Sequence, residues 1–527
     1  MLQSLPLGRS TFSALRAKNE IYVDKTELIF ELARFDSKIF LARPRRFGKS
    51  LLTSTFESLF KYGLRDFKGL AIEPLWTDKT YDVVRLDFSE AKEFSTIEDF
   101  RAVFYTRVGS KFRDAGFLLQ NNGDDFVTQL SNWLRTLKDS SLVLLIDEYD
   151  APLTACLDDQ ELFNEVRSVM SELFLTLKSN EGCLRFFFMT GITKFSNTSI
   201  FSAFNNLQDI SLDVHYGTLL GYTEPEMIHY FSEYLSRAAS ALNLSREDLL
   251  QKLREQYDGF SFDRQAKTHV YCPWSVLNFL TKPAEGFQNY WYTSGGQPAV
   301  LLKYLTQHPL SQPITYSEQR EIRLSELGAA GQYDEMGLDV LLTQAGYYTI
   351  RQVTDDQYAV LGYPNHEVSM SMAQLYADEL LKGRRIRPTG GSSIYKIMCE
   401  ADLDEVINQL NTVVSAIDYQ RYPITDEASC RAYLQVLLIG AAMIPRVEIH
   451  NALGRSDMEV EAGHRHWVFE FKYAKQETQV PTLLEEAVKQ MKERRYGTNH
   501  SNQKLLRVTL VFSEKSRQFV AWEEVFD

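Results

Sequence analysis

GRSDMEVEAGHRHWVFEFKY, residues 454–473, carries enough pattern to set its own geometry. Gly463 and His464 read as the central pair of a two-residue turn, which predicts an antiparallel hairpin with Asp457 opposite Glu470. Strand side chains alternate between faces, so Lys472 shares the face of Glu470 and lies diagonal to Asp457. Met458, Val460, Trp467, Phe469 and Phe471 share the other face and read as core. The acidic face is expected to have a buried back and a charged front. Two carboxylates about 5 Å apart repel unless a cation sits between them, and Mg²⁺ suits such a pair because it takes one or two carboxylates and leaves its other positions to water and phosphate. On charge alone, a solvated hairpin face is the favoured reading.

Working outward, helical patterns at 400–417 and 425–442 and a strand at 444–450 precede the hairpin, and a helix at 481–496 and a strand at 505–513 follow it. That order predicts a small α/β unit with a mixed sheet. At the other end of the chain, KIFLAR (38–43), DVVRLDF (82–88), SLVLLIDEYD (141–150) and LRFFFMTG (184–191) are continuous apolar runs. Runs of this kind suit strands covered on both faces, hence a parallel sheet in an α/β layer. From about 216 to 385 the pattern is mostly helical with short aromatic segments, and RRIRPTGGSS (384–393) reads as a linker. The expected domains are 1–215, 216–390 and 391–527.

FLARPRRFGKSLLTSTF (40–56) runs from an expected strand into an expected helix, the context in which Gly48-Lys49-Ser50 cradles phosphates. Lys49 would reach the β/γ-phosphates and Ser50 would ligate Mg²⁺. Arg43 stands where a P-loop usually starts with glycine, and Pro44 is a candidate for shaping that turn. Leu142 to Ile146 run straight into Asp147 and Glu148, the first placed to hold the Mg²⁺ shell and the second to orient or deprotonate the attacking water. Thr190, with Thr193 and Lys194 as competitors, is a candidate γ-phosphate sensor, and Arg45 and Arg46 are candidate phosphate contacts. Each of these also has a plain structural reading, as a strand-end hydrogen bonder or a solvated loop residue.

Composition bounds the rest. A chain of 527 residues with 44% hydrophobic content can bury ordinary cores in about three domains. The net charge of −13 argues against a general nucleic-acid coat, so any such binding must come from local basic patches. Lys475, Lys489, Lys492, Arg494 and Arg495 supply one near the hairpin. Five scattered cysteines without C-x-x-C spacing point to neither a disulfide framework nor a zinc site. No targeting segment or membrane span is read, and a cytoplasmic location is expected.

LPLGRSTF, YVDKT (22–26), RPRRFGKS (43–50), LLIDEYDAP (144–152), TGITKF (190–195), FNNLQDI (204–210) and YCPWS (271–275) together resemble the bacterial AAA-ATPase-like proteins that end in a PD-(D/E)xK nuclease-superfamily module. The resemblance covers nearly the whole chain, and arginine at the first Walker A position is usual in that family. It implies a P-loop domain with a parallel sheet, a winged-helix-like connector and a restriction-endonuclease-like α/β domain. The connector is similar to that of STAND-type NTPases, in which a proline near the nucleotide reports its state, and Pro273 matches that position. GRSD followed by EFK resembles the superfamily signature, with Asp457, Glu470 and Lys472 as its core. Glu427 and Glu448 match further acidic positions and Gln490 a polar one.

The resulting expectation is an ATP-binding and ATP-hydrolysing protein whose nucleotide state gates a Mg²⁺-dependent nuclease, with Mn²⁺ as a substitute and DNA preferred to RNA as substrate. A role in bacterial defence or mobile-DNA handling, and assembly into a homo-oligomer, fit the resemblance. Lys472 would position the attacking water or stabilise charge developing on phosphorus. The alternatives are an ATP-switched sensor or scaffold that binds nucleic acid or a partner without cleavage, and a purely structural ion pair between Lys472 and the acids.

Overall fold

The computed structural model describes residues 2–526 apart from 122, 196–205, 294–312, 314, 315, 317, 318, 329–336, 355, 356, 381–393, 442, 444, 452, 453 and 497–502. The linker expected at 384–393, and with it the 390/391 boundary, lies outside the described residues, as does the start of FNNLQDI. The chain packs as two compact units, Met1–His308 with Gln319–Val368, and Pro309–Glu318 with Ser369–Asp527.

The first unit contains a five-stranded parallel sheet of β1 (Lys38–Ala42), β2 (Asp82–Asp87), β3 (Leu142–Asp147), β4 (Leu184–Gly191) and the two-residue β5 (Gln208–Asp209), in the order β2-β3-β4-β1-β5. Every residue of β3 and β4 is buried, which is what continuous apolar runs become when helices cover both faces. The helix Lys49–Tyr62 starts directly after β1, so the Gly48-Lys49-Ser50 turn lies at the carboxyl end of a central strand beside β4. Ligands of open α/β sheets bind at that end.

Helices Glu224–Tyr230, Ser232–Leu242, Arg246–Tyr257 and Pro273–Thr281 follow in the same unit. Their shared core of Met227, Phe231, Leu235, Leu249, Leu253 and Phe279 also takes in Ile21 and Val23 from the N-terminal segment. This explains YVDKT as a structural motif. Asp24 accepts from the amide and hydroxyl of Thr26 and from the amide of Ala71, while Lys25 pairs with Glu226 at 2.6 Å. A three-stranded antiparallel sheet completes the unit, β6 (Arg320–Arg323), β7 (Thr349–Val353) and β8 (Tyr358–Gly362), in the order β6-β8-β7. Aromatic segments too short to show a period concealed it in the sequence.

The second unit is built on a mixed five-stranded sheet of β9 (Arg446–Asn451), β10 (Gly454–Ala462), β11 (Arg465–Ala474), β12 (Lys504–Ser513) and β13 (Gln518–Glu524), in the order β13-β12-β11-β10-β9. Only β11 and β12 pair in parallel. Helix Glu427–Gly440 starts from a reciprocal cap between Asp426 and Ser429. Helix Val480–Arg494 lays Met491 and Val488 on Val468, Tyr496 and Val525.

The hairpin turn and register are as the sequence predicts from Met458↔Phe469 to Ala462↔Arg465. Two expectations need correcting. The β10–β11 ladder stops before Asp457 and Glu470, which are therefore not direct cross-strand partners; Asp457 Oδ2 instead accepts the Phe471 amide at 2.8 Å. The charged front of the acidic face is also less open than expected, because Glu470 is itself buried along with Glu459, His466 and Val468 behind it. Ser456 donates to Glu459, and Glu459 meets the Nε2 of His466 at 3.1 Å, so these groups are paired with one another inside the domain.

Candidate functional site

At the carboxyl end of the parallel sheet, the 43–50 loop is shaped by two left-handed residues, Arg46 (φ 73°) and Gly48 (φ 94°). A Cβ on Gly48 would meet nothing within 4 Å, so its backbone faces open space where an anion can approach. Arg43, in the place of the usual glycine, is buried and bonds outward to the carbonyls of Ala42, Ser211 and Tyr216, with its guanidinium 4.5 Å from the centre of the Phe262 ring. The turn is thus held from outside by side-chain hydrogen bonds, in addition to Pro44. Lys49 Nζ donates to the carbonyls of Arg43 and Pro44, both at 2.9 Å, so the ammonium lies within the loop it closes.

The Ser50 hydroxyl lies near the Asp147 carboxylate and favours its charged form, and Asp147 Oδ1 is buried with no partner among the described residues. Glu148 is half-buried in a left-handed conformation (φ 49°), unusual for a residue with a side chain. Asp150 accepts the amides of Ile192 and Thr193 and ties this turn to the end of β4. Thr190 spends its hydroxyl on the Leu41 carbonyl at 2.8 Å, and Lys194 pairs with Asp209 at 2.6 Å. Thr193 Oγ1 is buried and without a partner among the described residues. Arg45 Nε is likewise unpartnered there, whereas Arg46 lies 4.2 Å from the centre of the Trp274 ring, beside Pro273 at the first turn of Pro273–Thr281.

In the second unit, Glu470 is 1% exposed; its Oε1 takes Lys472 Nζ at 3.2 Å and its Oε2 has no partner among the described residues. Lys472 also lies 3.8 Å from Glu427. Asp457 Oδ1 faces Arg431 at 3.7 Å, Arg431 bonds Glu448 at 3.1 Å, and Arg455 bonds the other oxygen of Glu448 at 3.2 Å. Gln490, on Val480–Arg494, donates to the Tyr496 phenol at 3.3 Å. Asp457, Glu470, Lys472 and Glu427 therefore share one neighbourhood, while Glu448 belongs to a pair of arginines. Among the described residues no group of three or more His, Cys, Asp or Glu side chains gathers in a metal-holding arrangement.

Residues 6–201 match the family model described as "Predicted AAA-ATPase", and residues 429–522 match that of the PD-(D/E)XK nuclease superfamily. The chain joins an AAA-ATPase-like domain to a PD-(D/E)XK nuclease-superfamily domain. It is also 28% identical over 536 residues to a protein of Azotobacter chroococcum mcd 1 described as "Uncharacterized protein in vnfD 5'region", covering 99% of this chain and 98% of that one. Among the described residues, no helix is long and apolar enough to cross a membrane.

Burial dominates the electrostatics of both sites. In the AAA-ATPase-like domain, burial pushes the Lys49 ammonium down to about 8 against the pull of Asp147, Glu148 and Asp150. Burial also raises Asp147, Glu148 and Asp150 above the usual carboxylate range. In the nuclease-superfamily domain, burial and then the charge of Asp457 push Glu470 up to about 7. Burial opposes the charge on Lys472, but Glu470 and Glu427 outweigh it and hold the amine protonated. Asp147 and Glu470 each keep a buried oxygen without a partner among the described residues, which a cation would satisfy, so the residues present fit Mg²⁺ at both places.

Sequence reasoning missed Arg431, Arg85 and Tyr496. Arg431 stands four positions after Glu427, a spacing that shares a helix face and was readable. Arg85 approaches Asp147 at 3.7 Å and Glu57 at 3.1 Å, which requires knowing that β2 neighbours β3. Tyr496 is buried near Glu470 and Asp457, and only packing brings it there.

Proposed function

We propose that this protein binds and hydrolyses ATP and uses its nucleotide state to gate a Mg²⁺-dependent nuclease that cleaves DNA phosphodiesters. In this reading residues 1–215 hold the nucleotide, 216–390 connect, and 391–527 cut. One observation carries it: in each domain a lysine stands beside a carboxylate that keeps one buried oxygen without a partner among the described residues, Lys49 with Asp147 and Lys472 with Glu470. When bound, a divalent cation would polarise the phosphate and acidify a coordinated water.

The chain's own groups do the rest. Gly48 and the helix N-terminus present amides to the phosphates, Lys49 neutralises them, and Ser50 and Asp147 hold the cation. Glu148 orients the water, Thr193 offers its hydroxyl to the γ-phosphate in place of Thr190, and Arg45 contacts phosphate. Pro273, beside Trp274 and the stacked Arg46, reports nucleotide state. Asp457 and Glu470 hold the second cation, with Glu427 as a further candidate ligand, whereas Glu448 is engaged by Arg431 and Arg455. Lys472 stabilises the developing charge, and Gln490 acts through Tyr496. Defence against mobile DNA and self-association are compatible uses.

Incubation with plasmid and Mg²⁺, with and without ATP, tests this reading. Cleavage by the wild type, lost in Lys472→Ala and no longer nucleotide-dependent in Lys49→Ala, is expected. Equal, absent cleavage by all three proteins removes the nuclease. A second reading is favoured by Arg431 facing Asp457: a resident ion-pair network that binds nucleic acid or a protein partner without metal. Calorimetry with Mn²⁺ separates the two, since that network takes up no ion.

A further inference from the structure

We propose that Arg431 and Arg455 form a clamp for a backbone phosphate of the nucleic acid, and that Glu448 occupies this clamp in the free protein as an internal mimic of that phosphate. The inference rests on the nuclease reading above and assigns Glu448 a role other than metal ligation. One carboxylate bridges two guanidinium groups through one oxygen each, Arg431 at 3.1 Å and Arg455 at 3.2 Å. The two non-bridging oxygens of a phosphodiester offer the same pair of acceptors at similar spacing, and guanidinium forks are suited to that shape.

Position adds to the case. The second nitrogen of Arg431 faces Asp457 at 3.7 Å, so the guanidinium lies between Glu448 and the acidic pair proposed to hold the cation. A phosphate seated on it would lie beside the reacting centre. Glu448 itself is left-handed (φ 56°) within β9, a conformation that a residue with a Cβ seldom adopts in a strand. The pairing of β9 with β10 skips this position, running from Ser456↔Ile449 to Met458↔Val447. Backbone regularity is given up at the residue that carries the carboxylate to the two arginines. Side-chain exposures of 20%, 39% and 48% for Arg431, Glu448 and Arg455 leave the clamp open to a ligand. Ion pairs this exposed are weak enough to exchange.

Binding of a fluorescent short DNA duplex to the full-length protein in Mg²⁺ tests this, with Lys472→Ala as parent so that the duplex stays intact. Adding Arg431→Gln should weaken binding about tenfold and lower the slope of log affinity against log salt by about one, the signature of a lost phosphate contact. Arg431→Lys should keep the salt slope while losing affinity, which separates the contact from general loss of structure. Glu448→Gln should tighten binding several-fold and leave Mn²⁺ uptake, read by calorimetry, unchanged. Unaltered affinity and slope in Arg431→Gln overturn the clamp alone, as does loss of Mn²⁺ uptake in Glu448→Gln, which would make Glu448 a metal ligand. A parent that binds no duplex at any salt concentration overturns the substrate reading and the clamp with it.

Discussion

Thr190 and Thr193 stand three residues apart at the end of β4, and their hydroxyls have different partners. Thr190 donates to the Leu41 carbonyl and joins two buried strands, whereas Thr193 Oγ1 is buried with no partner among the described residues. Replacing the first should therefore cost stability and replacing the second should cost chemistry. Thr190→Val is expected to lower unfolding free energy by about 1 kcal/mol, read by denaturant titration. Thr193→Val should hold its midpoint and lose ATP turnover several-fold, and a Thr193→Val protein that hydrolyses ATP at the parental rate contradicts that placement. The sequence narrowed the sensor to Thr190, Thr193 or Lys194 because all three follow the same apolar run. The proposal of Thr193 rests on the neighbours that engage the other two candidates, Leu41 for Thr190 and Asp209 for Lys194, which are distant in sequence or lie on another strand.

At the scale of elements, long strands and helices were legible because their periods are properties of consecutive residues, as in β3 and β4. The two-residue β5 and the small β6-β8-β7 sheet were not, being too short to show a period. The turn after β4 shows how closely elements meet: a Cβ on Gly191 would lie 2.6 Å from Asp150 Oδ1 and 2.7 Å from the Tyr149 ring. Gly191→Ala should cost at least the 1–3 kcal/mol typical of overpacking, measured by thermal melting, and should weaken ATP binding by displacing Asp150. Glu367 joins two further segments, accepting from Ser275 at 2.7 Å and from the amides of Tyr290 and Trp291 at 2.7 and 2.9 Å. Burial pushes its carboxyl from 4.5 up to about 8. A folded-state value above the unfolded one means that the folded protein holds the extra proton between those limits. Stability should accordingly fall as pH rises from about 4.5 to about 8, by about 1.4 kcal/mol per pH unit from this group. Glu367→Gln should flatten that part of the pH–stability profile, and an unchanged slope would show that Glu367 is ionised throughout.

For the molecule as a whole, two compact units predict two separable responses to ligands. ATP with Mg²⁺ at a hundred times its dissociation constant should stabilise the unit holding Lys49 by about 2.7 kcal/mol, and Lys49→Ala should abolish that shift in scanning calorimetry. Mn²⁺ should stabilise the other unit, with the shift lost in Asp457→Ala. A net charge of −13 makes nucleic-acid binding a matter of local geometry, which places the weight on a few arginines and lysines. What the chain determined without its fold was whatever neighbouring residues decide between themselves: the hairpin's turn and its register from Met458 to Arg465, the buried strands, and the Gly48-Lys49-Ser50 turn between a strand and a helix. Periodicity and turn chemistry act over a few residues and can be read there. Which charge meets which was left to the tertiary structure. Arg431 facing Asp457, Glu448 held by two arginines, and Glu470 buried with an oxygen to spare all depend on where separate elements pack, and the electrostatic energy of a group is set by its three-dimensional neighbours and its burial.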